Sequence, residues 1–224
     1  MTHLIIGGNS GIGKEIAAQL SQQGHDILTA CRNPTDYQHQ TYDALNPTQL
    51  ELPETLDSLV YCPGSITLKP FHRLSEADLV EEFRLNALGA ATTIQQALPS
   101  LKKSGQASIL LFSTVAVQTG MNFHASIAMA KGAIEGLTRS LAAEFAPHIR
   151  VNAIAPSLNH TPLASALVNN EAKQKAASER HPLKAIGDPA DTAALATFLL
   201  SPQAKWITGQ IIHADGGLSS LRPL

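Results

Sequence analysis

The chain has 224 residues, 44% apolar and 15% charged, with a formal net charge of -2, a balance that suits one globular domain with a buried core and excludes a disordered chain or a basic nucleic-acid-binding surface. Its two cysteines, Cys31 and Cys62, fall in no Cys-x-x-Cys or Cys/His cluster, which argues against a disulfide framework or a zinc site. No apolar run reaches the roughly 18 residues of a membrane span, so the expectation is a cytoplasmic protein without a signal peptide and without nucleic-acid or membrane partners.

Short β-like runs alternate with longer helical patterns. The runs are HLII (3–6), DILTAC (26–31), a short stretch near 39–43, SLVYC (58–62), SILLF (108–112), IRVNAI (149–154) and QIIHA (210–214). Such alternation predicts βαβ units in a single α/β domain over 1–224, a doubly wound parallel sheet of about seven strands with helices on both faces. Ile12, Ile16 and Leu20 recur at helical spacing and Gly24 follows as a C-cap. SEAD (75–78) reads as a capping box opening one long helix, about 76–102, through Phe83, Leu88 and Ile94. Further helices are expected near 123–146, 161–179 and 188–200, and the polar, proline-bearing segment 33–57 reads as loop around the short strand.

Residues 3–16, HLIIGGNSGIGKEI, place Gly7, Gly11 and Gly13 between the first strand and the first helix. Glycines there allow a tight turn and let the backbone N–H groups at the helix N-terminus approach a pyrophosphate. Strand, glycines and amphipathic helix in that order point to dinucleotide binding, although a glycine-rich turn alone is a weak signal.

The Gly-x-x-x-Gly-x-Gly spacing resembles the short-chain dehydrogenase/reductase family, with Ile6 in the slot of its usual threonine, and the resemblance spans nearly the whole chain. It implies a Rossmann-type fold, a nicotinamide cofactor and a carbonyl or alcohol substrate. Gly7, Asn9, Ser10, Gly11, Ile12 and Gly13 would form the phosphate loop, and Asp43 in YDAL would face the adenine. YCPG (61–64), ending in Gly64, stands where the family has Asn-Asn-Ala-Gly. Asn86 in FRLNALGA matches the family's catalytic asparagine. VNAIAPSLNHT (151–161) supplies Pro156 and Thr161 to the cofactor wall, with Ser157 in place of a glycine. The second strand ends TACRN, so Cys31 takes the slot of the acidic residue that would bind a ribose 2′-OH and Arg32 follows it. An arginine fork suits a 2′-phosphate, which predicts NADP(H), with Asn9, Ser10 and Asn33 as neighbours of that phosphate.

In that family the helix at 123–146 carries Tyr-x-x-x-Lys, where the lysine holds the nicotinamide ribose and lowers the phenol's pKa for proton exchange. Lys131 matches the lysine, but the residue four before it is Ile127, which carries no proton. The serine position thirteen before 127 is Thr114, beside Ser113. Asn86, Thr114 and Lys131 therefore remain of the implied catalytic set. His124, three before Ile127, falls on the same face if the helix already includes it, and is the first candidate surrogate acid/base. Tyr61, at the end of a central strand, is the second. Two functions follow: an NADP(H)-dependent oxidoreductase with an altered proton donor, or an NADP(H)-binding sensor or partner subunit without turnover. The segment 158–182 reads as the substrate-side loop and helix. The resemblance also implies a homodimer or homotetramer.

Overall fold

The computed structural model describes residues 1–222. Its centre is a seven-stranded sheet in the order β3-β2-β1-β4-β5-β6-β7, with every neighbouring pair parallel. The strands are β1 (Thr2–Ile6), β2 (Asp26–Cys31), β3 (Gln38–Thr41), β4 (Ser58–Tyr61), β5 (Ala107–Phe112), β6 (Ile149–Pro156) and β7 (Ile211–Ala214). Alternate side chains of the central strands enter two separate apolar layers. Leu4, Ile6, Leu59, Ile109 and Leu111 pack with Ile94, Leu101 and Ile134 on one face, whereas Ile5, Val60, Leu110 and Phe112 pack with Ile16, Leu20 and Leu199 on the other. A period of two with both faces covered explains why these strands read as continuous apolar runs. Burying each large aliphatic side chain contributes about 1.5–3 kcal/mol.

The helices are α1 (Gly11–Gln22), α2 (Glu76–Phe83), α3 (Gly89–Ser104), α4 (Val115–Thr119), α5 (Ala125–Phe145), α6 (Glu171–Arg180) and α7 (Pro189–Leu200). The capping box is formed: Ser75 Oγ accepts from the Asp78 amide at 3.2 Å and Asp78 Oδ2 accepts from the Ser75 amide at 2.9 Å. Gly24 follows α1 with φ +81°, in the left-handed conformation that favours glycine just past a helix end. No helix among the described residues is long and apolar enough to cross a membrane.

Three expectations are corrected. The single long helix at 76–102 is two helices joined by a turn of π-helix, Arg84–Leu88, which leaves Phe83 and Leu88 exposed. The expected helix at 161–179 is a 3-10 segment, Pro162–Leu167, followed by α6. The helix expected from 123 starts at Ala125, with His124 as its non-helical N-cap at φ -100° and ψ 13°. Chain order reverses direction at β1, which pairs with β2 on one side and β4 on the other. In an open α/β sheet the crevice beyond the carboxyl ends of the strands at that switch point is where ligands bind.

Candidate functional site

A cleft of about 500 Å³ opens there, beyond β1, β4, β5 and β6. The β1–α1 turn forms its floor. Gly7 and Gly11 have φ of +79° and +52°, which a side chain would strain. Gly13 has no room for a Cβ because the Gly7 carbonyl lies against it, and a Cβ on Gly11 would come within 3.2 Å of Thr161. Asn9, Ser10 and Ile12 line the cleft beside them. Ser10 is the N-cap of α1 in extended conformation, yet its side chain caps nothing and the first turn carries no acidic residue. The free amide groups of that turn and the positive end of the helix dipole are thus left for an anion. The cradle fits a pyrophosphate.

At the adenosine end, Arg32 and Asp43 line the cleft beyond β2 and β3. The Asp43 carboxylate accepts from Asn46 Nδ2 at 3.0 Å and from the Leu45 amide at 3.1 Å, which hold its pKa below the usual carboxylate range, with a smaller effect of the Arg32 charge. Arg32 is exposed and makes no ion pair or hydrogen bond among the described residues, so its fork is available. Cys31 is buried, its thiol donates to the Asn33 carbonyl at 3.3 Å, and burial raises its pKa.

At the other end, Gly64, Thr114, Ile127, Lys131, Pro156 and Thr161 line one wall. Lys131 is 8% exposed, and its Nζ stands 3.6 Å from where a Gly64 Cβ would be. Burial pushes its pKa down to about 8 against the opposing pull of Cys62 and Glu82, and no hydrogen bond or ion pair among the described residues engages it. Cys62 is its inert neighbour, its thiol pushed up to about 12 by burial. Asn86 lies in the π-turn just behind the wall, fully buried, donating to the Glu82 carbonyl at 2.9 Å and to Ser65 Oγ at 3.2 Å. Its Oδ1, 3.3 Å from the point a Cβ on Gly64 would occupy, has no hydrogen-bond partner among the described residues, and neither carboxylate oxygen of Glu82 has one there. A π-turn of this kind often marks a functional site, because it breaks the regular ladder and turns a side chain and its backbone toward a cavity. An ammonium held out of water with unpartnered polar atoms around it is a strained arrangement that a polar ligand would relieve.

Ser113 and Thr114 separate in role. Both line the cleft, but Ser113 Oγ already donates to Glu135 at 2.8 Å, whereas Thr114 Oγ1 accepts from the Ala116 amide as the cap of α4 and keeps its own hydrogen free for a ligand. The two proposed surrogates lie elsewhere. His124 does not line the cleft; its Nδ1 is 2.7 Å from the Asn122 carbonyl, outside the α5 face that Ile127 and Lys131 share. The Tyr61 hydroxyl donates to the Leu85 carbonyl at 2.6 Å and burial raises its pKa, so this phenol is locked in the core. Sequence reasoning passed over a pair that the fold assembles at the end of β6: Ser157, lining the cleft, and His181, at 3% exposure, meet at 2.9 Å. Their separation of 24 residues offers no periodic signal; only the departure from glycine at 157 hinted at it. No cluster of three or more metal-ligating side chains occurs among the described residues.

Comparison with known proteins agrees with this geometry. A family model described as enoyl-(acyl carrier protein) reductase matches residues 38–219. A tropinone reductase homolog of Arabidopsis thaliana is 33% identical over 98% of this chain and 93% of its own. Among solved structures, the ligand-free aldohexose dehydrogenase of Thermoplasma acidophilum superposes with a TM-score of 0.91 at 26% identity, covering 100% of this chain and 95% of that one. A short-chain type dehydrogenase/reductase from Mycobacterium ulcerans gives 0.89 at 26% identity, covering 99% and 90%. With the glycine cradle, the switch-point cleft and Lys131 in place, the chain belongs to the short-chain dehydrogenase/reductase family, whose members are oxidoreductases that bind nicotinamide cofactors.

Proposed function

We propose that this protein is an NADP(H)-dependent oxidoreductase that interconverts a carbonyl and an alcohol with Ile127 standing where the family's tyrosine belongs. The observation that carries the reading is Lys131, a buried ammonium with no hydrogen-bond or ion-pair partner among the described residues, on the wall of a cleft whose floor is an anion cradle. A dinucleotide supplies hydride transfer when bound. Gly7, Asn9, Ser10, Gly11, Ile12 and Gly13 would take its phosphates, Arg32 its 2′-phosphate, Asp43 its adenine side, and Lys131 its nicotinamide ribose, with Gly64, Pro156 and Thr161 around the ring. Thr114 would hold the substrate oxygen, and Asn86, fixed in its π-turn, would orient the polar groups behind Lys131. The segment 158–182, which contributes Leu158 and Leu163 to the cleft, would cover the substrate.

One observation favours the second reading, a sensor or partner subunit: Ile127 is 5% exposed and lines the cleft one turn before Lys131, so the position that should exchange a proton is apolar. General acid catalysis typically contributes about 10² to 10⁴-fold, so its loss slows carbonyl reduction without preventing hydride transfer. The deciding experiment follows NADPH oxidation on a panel of aldehydes, ketones and quinones for the wild type, Lys131→Ala and Ile127→Tyr. Turnover by the wild type that Lys131→Ala abolishes supports the oxidoreductase. Tight NADPH binding with turnover only in Ile127→Tyr establishes the sensor, and absence of NADPH binding rejects both. We also read the protein as a cytoplasmic homodimer or homotetramer, in keeping with its free thiols and with exposed Leu88, Met129 and Trp206; light scattering at micromolar concentration checks the assembly.

A further inference from the structure

Interconverting an alcohol and a carbonyl moves a proton at oxygen as well as a hydride at carbon, and position 127 has no proton to move. We propose that Ser157 and His181 are the proton-transfer couple of this cleft, Ser157 Oγ meeting the substrate oxygen and His181 Nε2 receiving or returning the proton. The inference rests on the oxidoreductase reading.

His181 follows α6, is buried, and has hydrogen-bond partners on both ring nitrogens: Nδ1 is 2.8 Å from the Ala177 carbonyl and Nε2 is 2.9 Å from Ser157 Oγ. A carbonyl only accepts, so Nδ1 must carry a hydrogen. In the neutral imidazole Nε2 is then an acceptor, and the Ser157 hydroxyl must donate to it. This is the order of an activated hydroxyl, its base and the group that orients the base. The orienting group is a backbone carbonyl of a helix, which cannot be titrated away.

Ser157 completes the geometry. It is the first residue after β6, it lines the cleft with Thr114 and Lys131, and its amide is tied to the Ala214 carbonyl at 3.3 Å. With its hydrogen committed to His181, its oxygen keeps lone pairs for a donor, which an alcohol hydroxyl in the cleft would be. In alcohol oxidation the substrate O–H proton passes to Ser157 Oγ as the Ser157 proton passes to His181 Nε2. The substrate carbon gives up its hydrogen with the electron pair, as hydride, to an oxidised nicotinamide dinucleotide. The products are the carbonyl, the reduced dinucleotide and an imidazolium; once the carbonyl has left, Nε2 returns its proton to Ser157 Oγ as the Ser157 hydroxyl passes its own to water in the cleft. Carbonyl reduction runs the same transfers backwards from the imidazolium.

The competing role is mechanical, a latch in which His181 merely ties α6 to β6. The experiment separates the two on full-length wild type, Ser157→Ala, Ser157→Thr and His181→Gln, each first shown to melt cooperatively. In the ligand-free protein, ¹⁵N spectra of the histidines should show His181 with its hydrogen on Nδ1 and an Nε2 resonance that moves in Ser157→Ala. Reduction of NADP⁺ is then measured with 2-butanol, cyclohexanol and 1-phenylethanol, in H2O and D2O, alongside dinucleotide affinity by fluorescence. Ser157→Ala and His181→Gln should each lower kcat by about 10² to 10⁴-fold and lose the solvent isotope effect, leave affinity for NADP⁺ within about twofold, and regain turnover in Ser157→Thr. A latch would lower the melting temperature and raise KM with kcat and the isotope effect unchanged, which overturns the couple, as does a hydrogen found on Nε2. A wild type that binds NADP⁺ and oxidises none of the alcohols overturns the oxidoreductase reading itself. A wild type that turns over with Ser157→Ala unimpaired overturns the couple alone.

Discussion

Gly13 sits so close under the carbonyl of Gly7 that a methyl group at position 13 would overlap that oxygen and stand 3.2 Å from Cys62 Sγ. The obstacle is backbone in the turn that forms the anion cradle, so it cannot yield without opening the cradle. Gly13→Ala is expected to lower stability by about 1–3 kcal/mol through overpacking and to abolish measurable NADPH binding. A thermal melt and a fluorescence titration read both effects, and an alanine variant that binds NADPH normally would mean that the cradle is not the phosphate site.

Arg32 governs the choice of dinucleotide in the proposed function. A hydrogen bond to a charged group is worth about 1.5–3 kcal/mol, so Arg32→Ala should weaken NADPH by roughly 10 to 100-fold. Affinity for NADH, which lacks the 2′-phosphate, should stay within about twofold. Equal losses for the two dinucleotides would place Arg32 outside the phosphate site.

Lys131 is held charged in a place that disfavours charge. Its pKa, lowered from 10.5 to about 8 by burial, means that the unfolded chain binds the proton more tightly than the folded one. The sign is therefore destabilising: the penalty is full below pH 8, is relieved between about 8 and 10.5, and amounts to roughly 3 kcal/mol at most. Lys131→Met should raise the stability of the dinucleotide-free protein near neutrality while weakening NADPH binding by at least about tenfold. Chemical denaturation at two pH values, with a binding titration, tests the trade; a variant less stable than wild type would show that Lys131 is satisfied in the free protein.

His3 predicts a loss of stability in acid. It lies in β1 with Nδ1 2.6 Å from Ser58 Oγ, no partner for Nε2 among the described residues, and the His25 ring 4.9 Å away, centre to centre. Burial first, then the proximity of His25, pushes its pKa from 6.5 down to about 4. The folded state keeps this imidazole neutral while the unfolded chain protonates it, so its contribution is complete above pH 6.5 and disappears as pH falls toward 4. The loss approaches roughly 3 kcal/mol. Urea midpoints between about pH 7 and 5 should fall less steeply in His3→Gln than in wild type; parallel slopes would remove His3 as the cause.

Much of the fold is legible because it depends on neighbours in sequence. The apolar runs became β1, β2, β4, β5 and β6 because a strand covered on both faces needs apolar side chains throughout. The Ser75–Asp78 box and Gly24 act across three or four residues, so they can be read directly. The glycine spacing and Lys131 were readable for a similar reason: one is a local turn, the other a single costly charge in an apolar helix.

What the tertiary structure decided concerns groups distant in sequence. The apolar pattern of 76–102 is continuous through residue 86, and only packing against the neighbouring elements shows that the helix winds there into a π-turn and buries Asn86. Helical spacing put His124 in line with Lys131, but α5 starts one residue later and leaves the imidazole at the cap. Tyr61 sits at the right strand end, yet its hydroxyl is taken by a carbonyl 24 residues away. The meeting of Ser157 with His181 likewise depends on where α6 returns to the end of β6. Composition and periodicity determine which segments must be buried and in what form, since those preferences are local and summed over many residues. Which polar atoms end within about 3 Å of each other is set by the docking of whole elements, which no single segment encodes.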